Sequence, residues 1–286
     1  WRPAPWAPGE ECRLVIGVEP SAGGARLTVE QRDWGALLGD GDEVVGWFAS
    51  EVAAPLLAAT APDRFGDWLT DRRARRPSGA ASRATYRDPL YHYPGFRVVL
   101  AELALTPGDH LLEVGCGGGT LLRAALESGC RAAAVDHSPE MVRVAREANR
   151  DAIREGRLDI REAGAEHLPF PDATFTCATM TGVLGFLTDP VAAFTEMRRV
   201  LAAGGRVVVQ GSDPELRGTP AAPEPMASRL RFYDGEELES LARAAGLSDV
   251  RVVRRPMESL AREVGIPEEH IPLFASGGAF LLARSE

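Results

Sequence analysis

A single carboxylate stands directly before a glycine-rich turn in the stretch LLEVGCGGGT, residues 111–120. Glu113 follows two leucines, and Gly115, Gly117 and Gly119 come at every second position after it. Glycines at this spacing can adopt positive φ and, because they lack a Cβ, they let a ligand approach the backbone closely. A carboxylate here would repel a pyrophosphate and attract a ligand that carries positive charge, such as an ammonium or a sulfonium. The stretch therefore predicts a binding site for a small cationic ligand.

The same turn departs from the fingerprint of dinucleotide-binding proteins. That fingerprint, G-x-G-x-x-G, would need glycine at position 120, where this chain has Thr120. The chain also contains no lysine, because every one of its 32 basic residues is arginine. Without lysine there is no Schiff base, no phosphate-loop lysine and no Tyr-x-x-x-Lys pair. These observations argue against a nicotinamide-dependent oxidoreductase.

Composition narrows the class of protein further. The chain has 286 residues, 45% of them hydrophobic, and a net charge of −9, so it lacks the basic field that long nucleic-acid contacts require. It has no run of eighteen apolar residues and no secretory signal. We expect a cytoplasmic protein without nucleic-acid, membrane or metal partners; composition leaves its oligomeric state open.

Because residue 1 is not methionine, we also expect the chain to begin partway through a longer gene product. No C-x-x-C pair occurs among the four cysteines, which argues against a zinc site and a disulfide framework: Cys12, Cys116, Cys130 and Cys177.

From residue 90 onward, predicted helices alternate with short apolar strands. Such alternation builds an α/β fold with a mostly parallel sheet and helices on both faces. Ligands bind such a sheet beyond the carboxyl ends of its strands, which is where the glycine-rich turn falls. The predicted strands are 110–114, 131–136, 158–162, 176–181, 206–211, 249–254 and 278–283. The predicted helices are 95–105, 119–128, 139–150, 189–202 and 235–245.

The N-terminal part has a different pattern. Residues 13–19 and 26–30 alternate apolar and polar side chains around turn residues, which predicts a β-hairpin. Apolar residues at three- and four-residue spacing predict a helix over residues 43–57. Residues 71–82 are polar, basic and rich in small side chains, and we interpret them as a solvated linker rather than a nucleic-acid site. We therefore predict an N-terminal segment over 1–78 and a ligand-binding domain over 79–286.

Four features in order resemble the class I S-adenosylmethionine-dependent methyltransferases, specifically the type 11 group that acts on small molecules. They are the segment from Glu113 to Gly119, Asp136 at the end of the second strand, LPFPDATF at 168–175 and RRVLAAGGRVVV at 198–209. The resemblance covers roughly residues 90 to 284. It implies a seven-stranded Rossmann-like sheet, S-adenosyl-L-methionine as cofactor and a small-molecule methyl acceptor. Residues 1 to about 78 resemble the end of a START-like helix-grip domain.

The resemblance also implies roles for individual residues. The glycine-rich turn would cradle the methionine portion of the cofactor, with Glu113 facing its amino group directly or through water. Asp136 would accept from the ribose hydroxyls and His137 would flank the adenine. The cofactor-binding residues implied are Glu113, Gly115, Cys116, Gly117, Gly119, Asp136, His137, Met141, Ala165, Glu166 and Thr181. In the family, the residue before the alanine that corresponds to Ala165 is usually an acid, which accepts a hydrogen bond from the adenine amino group. This chain has Gly164 at that position. Either Glu166 or a backbone carbonyl substitutes, or cofactor affinity is lower by about 1 kcal/mol.

The predicted acceptor side carries few polar groups. The loop TMTGVLGFLTDP, residues 179–190, has no D-P-P-Y or N-P-P-Y sequence, which in the family positions the amine of a nucleobase. Gly185 and Phe186 replace a histidine pair that many relatives carry, and leave an apolar wall. We therefore expect O- or C-methylation rather than N-methylation, with acceptor choice set by residues 80–95 and 212–232. His92, in YHYPGF, is the preferred candidate for a base among His92, His137 and His167; the alternative is that it only packs within an aromatic lid.

A second function remains open at this level. The fold could hold the cofactor as a non-catalytic sensor or scaffold, since Gly164, the missing histidine pair and the extra N-terminal segment all depart from the enzyme pattern.

Overall fold

The structure is a computed structural model that describes residues 13–21, 24–32, 55, 58–59, 62–219 and 221–286. The chain forms two compact units, residues 1–69 and residues 70–286. In the first unit, β1 (Arg13–Ser21) pairs antiparallel with β2 (Gly24–Arg32), which confirms the predicted hairpin. Helix α1 follows at Pro62–Thr70. The predicted helix over 43–57 falls, apart from Pro55, outside the described residues.

The second unit alternates strands and helices as predicted. Its strands are β3 (His110–Val114), β4 (Arg131–Asp136), β5 (Leu158–Glu162), β6 (Phe175–Thr181), β7 (Leu201–Gln210), β8 (Ser248–Arg255) and β9 (Gly278–Arg284). Its helices are α2 (Ala80–Arg87), α3 (Tyr93–Leu103), α4 (Thr120–Leu126), α5 (Pro139–Ala148), α6 (Arg150–Arg154), α7 (Pro190–Val200), α8 (Gly235–Ala244) and α9 (Glu258–Glu263). None of these helices, nor α1, combines the length and the apolar character needed to cross a bilayer.

The seven strands of the second unit form one sheet in the order β5-β4-β3-β6-β7-β9-β8. The pairs from β5 to β7 are parallel, and β9 runs antiparallel to both β7 and β8. Successive side chains of a strand point to opposite faces, and both faces of β3 are covered: Leu111 belongs to one core cluster and Leu112 to the other. The predicted mostly parallel Rossmann-like sheet is confirmed, and the reversal of the sheet order beside β3 opens its carboxyl edge for a ligand.

The segment predicted as a solvated linker is instead structured. Asp71–Arg75 forms a turn of π-helix, and α2 begins at Ala80. The cause is a contact with a distant part of the chain: Arg83 Nη1 lies 2.7 Å from Glu140 Oε1, with both side chains largely buried. Composition could not indicate this partner, which lies 57 residues further along the chain. The domain boundary at residue 78 stays a prediction.

Asp109 joins the start of β3 to the neighbouring strand β6 and to β7, the strand beyond it. Its Oδ1 accepts hydrogen bonds from Thr176 Oγ1 and Arg206 Nη2, each at 2.7 Å, and its Oδ2 accepts from the backbone and hydroxyl of Thr106, each at 2.8 Å. Burial by itself would raise the pKa of Asp109, but these hydrogen bonds outweigh it and lower the pKa to about 2. The ionised carboxylate therefore stabilises the folded state.

The effect of Asp109 on stability should depend on pH. Its folded-state pKa lies below the unfolded value of about 3.9, so its contribution is present above pH 4 and is lost as the pH falls toward 2. We expect Asp109→Asn to lower the free energy of unfolding by about 2 kcal/mol at pH 7, with a smaller difference near pH 3. Urea unfolding at both pH values measures this. Asp159→Asn, which changes an exposed pair with Arg161, is the control and should have little effect.

Candidate active site

A cavity of about 310 Å³ lies at the carboxyl ends of β3, β4, β5 and β6. It brings together residues that are up to 114 positions apart, from Ala74 ahead of α2 to Thr188 in the loop after β6. The predicted site residues that line it are His92, Glu113, Gly115, Cys116, Gly117, Asp136, His137, Met141, Ala165, Glu166 and Thr181. Gly119 does not line it. That glycine caps the start of α4, and its carbonyl accepts a hydrogen bond from Asn149 Nδ2 at 3.1 Å.

The glycine-rich turn forms the floor of this cavity. Its first amides, those of Gly115 and Cys116, donate to the carbonyl of Val135 on β4 at 2.8 and 3.1 Å. Gly115 has φ of 77°, a conformation that other residues rarely adopt. A Cβ at this position would lie 2.1 Å from Cγ2 of Val183, so the turn and the loop after β6 are in close contact. The turn therefore presents backbone to the cavity, as the sequence predicted.

Asp136 ends β4 and holds the turn in place. Its Oδ2 accepts from the amide of Gly117 at 2.9 Å, and its Oδ1 accepts from the amide of Ser138 at 2.9 Å. Burial raises the pKa of Asp136 above its usual value, and these two hydrogen bonds and His137 offset only part of that rise. Ser138 caps α5 by accepting from the amide of Met141, with Pro139 in the first turn. Each carboxylate oxygen of Asp136 retains a lone pair for a ligand hydroxyl.

Glu113 is the least satisfied charged group of the cavity. Its side chain is 2% exposed, and Oε2 has no hydrogen-bond partner. Burial, and then the negative charge of Asp136, raises the pKa of Glu113 well above its usual value. A buried carboxylate without a partner is costly unless a cation compensates it. The amino group of S-adenosylmethionine fits this requirement, because it supplies positive charge and hydrogen-bond donors together.

The cavity has open space at Gly164, the position where the sequence departs from the family pattern. A Cβ at Gly164 would meet nothing within 4 Å, and its φ is not positive. The side chain of Glu166 is partly used elsewhere, since its Oε1 accepts from the amide of Asp189 at 3.1 Å. Gly164 thus leaves a gap where a side chain would fit.

His92 lies at the other end of the cavity, in the short 3₁₀ turn Leu90–His92. Its ring is accessible to solvent, yet protein surrounds it on most sides, and burial lowers its pKa below the usual value. The ring centroids of His92 and Phe96 are 5.9 Å apart. A neutral imidazole here can accept a proton. The cavity lining also includes apolar side chains from before β3 and after β6. They are Pro89, Phe96, Val183, Phe186 and Leu187.

Sequence reasoning missed Tyr86 on α2. Its ring packs on the glycine-rich turn, with Cδ1 2.9 Å from where a Cβ at Gly117 would lie. Burial, and then the charge of Asp136, raises the pKa of the Tyr86 phenol. No spacing rule links Tyr86 to the turn, because contacts between distant residues hold α2 there, among them Arg83–Glu140. The aromatic-rich run ahead of β3 was the available sign.

Three predicted features lie away from the cavity. None of the described residues in 212–232 lines it; the stretch packs on the outside of the loop after β6, where the amide of Arg231 donates to the carbonyl of Gly185 at 2.9 Å. His167 does not line the cavity either. For His270 the sequence leaves open the acceptor entrance or the surface; it does not line the cavity, and its Nδ1 lies 2.7 Å from the hydroxyl of Tyr91. The acceptor side of the cavity is built from residues before β3 and after β6.

Comparison with known proteins agrees with this geometry. Residues 112–209 match the model of a family described as a methyltransferase domain. The chain is 31% identical over 127 residues to the ubiquinone/menaquinone biosynthesis C-methyltransferase UbiE of Geobacter sp., covering 42% of this chain and 53% of that protein. It is 30% identical over 176 residues to the O-methyltransferase resE of Aspergillus sclerotiorum, covering 56% of this chain and 65% of that protein.

The solved structure of the [4+2]-cyclase SpnF is 26% identical, with a TM-score of 0.52, and the match covers 66% of this chain and 80% of that one. The chain spans between about half and two thirds of the length of the curated relatives named above. The family match includes β3, the glycine-rich turn, Asp136 and the strands through β7. Residues 112–209 therefore form a region similar to methyltransferase domains, within a seven-stranded Rossmann-like sheet.

Proposed function

We propose that the protein transfers a methyl group from S-adenosyl-L-methionine to a small organic acceptor, at oxygen or carbon. The observation that carries this proposal is the buried, unpartnered carboxylate of Glu113 beside a glycine-rich turn. It suits a cofactor with an ammonium and a sulfonium, and it disfavours a phosphate-bearing dinucleotide. The C- and O-methyltransferase names of the two relatives support the choice of acceptor atom.

Cofactor binding would use three regions of the cavity. Glu113 faces the amino group of the methionine portion, and backbone groups of the turn surround it. Asp136 accepts hydrogen bonds from the ribose hydroxyls, while its bonds to Gly117 and Ser138 keep the carboxylate in place. His137 and Ala165 line the side where the adenine would lie. The position of these side chains in the cavity supports the assignments that the family resemblance implies.

When bound, the cofactor supplies an activated methyl group on a cationic sulfur. The chain itself mainly has to hold the acceptor in line with that group and keep water away, which can lower the barrier by several kcal/mol. Phe96, Phe186 and Leu187 provide the apolar walls for this purpose. If the acceptor is a phenol or an enol, His92 is placed to take its proton, because its lowered pKa keeps the imidazole neutral near pH 7.

Titration calorimetry tests the proposal. The parent chain should bind S-adenosylmethionine saturably and should not bind a nicotinamide dinucleotide, and Asp136→Ala should weaken cofactor binding. Glu162→Ala is the matched control, because this exposed acid ends the neighbouring strand β5 and does not line the cavity. Binding of the dinucleotide alone would refute the proposal.

A second candidate is a protein that binds the cofactor without transferring its methyl group. The opening at Gly164 favours this candidate, since it removes a contact that relatives in the family usually make. The similarity to the [4+2]-cyclase SpnF also supports this candidate, because the name of that protein describes a reaction other than methyl transfer. Incubation with labelled cofactor and a cell extract separates the two, because only the enzyme transfers label to other compounds.

Filling the gap at Gly164 should strengthen cofactor binding. We expect Gly164→Asp to bind S-adenosylmethionine about fivefold more tightly, because its Cβ would meet no atom within 4 Å and its carboxylate would accept from the adenine amino group. Gly164→Ala, which adds only the Cβ, should change the affinity by less than about twofold. Calorimetry on the three proteins measures this, and tighter binding by the alanine variant would argue against the hydrogen bond as the cause.

A further inference from the structure

Two buried polar atoms on one face of the sheet have no hydrogen-bond partner. They are Oε2 of Glu113 on β3 and Oγ1 of Thr179 on β6. Thr179 is 0% exposed and does not line the cavity. Buried hydroxyl and carboxylate groups are normally paired, because leaving them unpaired costs the full free energy of their desolvation. Two such atoms in adjacent strands therefore need an explanation.

The register of the sheet places these two side chains next to each other. Glu113 and Thr179 are Cα partners in the parallel pair of β3 and β6. Partners in register point to the same face, and neighbouring strands lie about 4.8 Å apart. Rotation about the side-chain bonds is enough to bring a hydroxyl and a carboxylate at this separation into hydrogen-bond contact.

Thr179 is the register partner of Glu113 that carries a side-chain donor. On the opposite side Glu113 pairs with Ala134 of β4, which has no side-chain donor. Asp136 is acidic and opposes ionisation of Glu113, and burial followed by the charges of these two acids raises the pKa of the Cys116 thiol. Helix α3, which packs on β6, contributes apolar side chains to the core of this face, among them Val98 and Val99.

We propose that Thr179 is a positioning residue for Glu113: its hydroxyl donates to the Glu113 carboxylate when a cationic ligand occupies the cavity. This inference rests on the proposed function. A hydrogen bond to the charged form of a carboxyl group favours that form. Thr179 would thus hold Glu113 ionised and oriented toward the ammonium group of the cofactor, without itself touching the cofactor.

The test is calorimetric titration of the full chain with S-adenosylmethionine and S-adenosylhomocysteine. Thr179→Val keeps the shape of the side chain and removes the hydroxyl, and it should weaken binding of both by about tenfold. Thr179→Ser restores the hydroxyl and should bind within about twofold of the parent. In a Glu113→Gln background, adding Thr179→Val should cost less than about threefold, because the charged acceptor is gone. Thr179→Ala serves in place of the valine variant if that variant does not fold.

The pH profile distinguishes positioning from a purely structural role. The tenfold loss in Thr179→Val should hold where the bound Glu113 is ionised and should shrink toward no loss as the pH falls and Glu113 becomes protonated. A structural defect would lower the affinity equally at every pH and would persist in the Glu113→Gln background; either result would overturn the assignment. Equal binding by the parent and Thr179→Val would overturn it as well. If the parent itself binds neither compound, the proposed function fails and this assignment fails with it.

Discussion

Replacing Glu113 by glutamine is expected to weaken binding of S-adenosylmethionine by about 10- to 100-fold, as for the loss of a charge-assisted hydrogen bond. The carboxylate is 2% exposed and its Oε2 has no partner within the protein, so a bound ammonium group would be its main compensation. Glu113→Arg should abolish binding, because it places two cations against each other in a buried site. Titration calorimetry at pH 7.5 measures both effects.

A second prediction for Glu113 concerns the stability of the chain without cofactor. The folded-state pKa of Glu113 is raised, so the carboxyl group favours folding below its unfolded pKa and this contribution is lost as the pH rises through the raised value. Glu113→Gln should therefore be more stable to heat than the parent at high pH when no cofactor is present. Added cofactor should reverse this order, since it binds the parent more tightly.

The matched control for Glu113 is Glu162→Gln. Glu162 ends β5, two strands away from β3 in the sheet, is exposed and does not line the cavity. It should leave cofactor affinity and the pH dependence of stability unchanged. If Glu113→Arg bound the cofactor as well as the parent does, the assignment of a cationic ligand to this site would be wrong.

Replacing Gly118 by alanine is expected to reduce cofactor affinity by at least about tenfold and to destabilise the fold by about 1–3 kcal/mol. A Cβ at Gly118 would lie 1.9 Å from the carbonyl oxygen of Tyr86 and 2.7 Å from its carbonyl carbon. These are backbone atoms of α2, so a change of side-chain rotamer cannot relieve the clash. Either α2 moves outward or the glycine-rich turn deforms, and in both cases the wall of the cavity changes.

Calorimetry and urea unfolding report on the two effects of Gly118→Ala. Gly164→Ala is a suitable control, since it adds the same methyl group to another glycine of the cavity where nothing lies within 4 Å. A further variant, Arg83→Ala, removes the buried contact that holds α2 on α5 and should partly relieve the clash. Normal affinity and stability in Gly118→Ala would show that α2 does not press on the turn.

Much of the fold followed from local pattern. The predicted strands 110–114, 131–136 and 158–162 match β3, β4 and β5, because short apolar runs between turn residues leave little freedom in where a buried strand begins and ends. Predicted ends were less accurate where a contact with another element decides them. Strand β7 begins at Leu201, five residues earlier than predicted, because Leu201 pairs with Phe175 across an irregular register.

The site could be predicted only in part. Glu113, the glycines and Asp136 are recognisable because they lie at or just after the carboxyl ends of strands, and parallel strands bring these ends to one edge. Tyr86 and the wrapping of α2 over the turn could not be predicted, since they depend on Arg83 meeting Glu140. The stretch 212–232 was expected to help choose the acceptor, yet none of its described residues reaches the cavity.

The sequence by itself determined the order of the elements, the position of the ligand edge and the preference for a cationic ligand, because these depend on residue type and on spacing along the chain. Only the tertiary structure decided which side chains close the cavity and which buried groups stay without partners. Glu113 and Thr179 are 66 residues apart in sequence, and only the register of β3 against β6 makes them neighbours. Such pairings depend on how strands align in space, which local pattern does not specify.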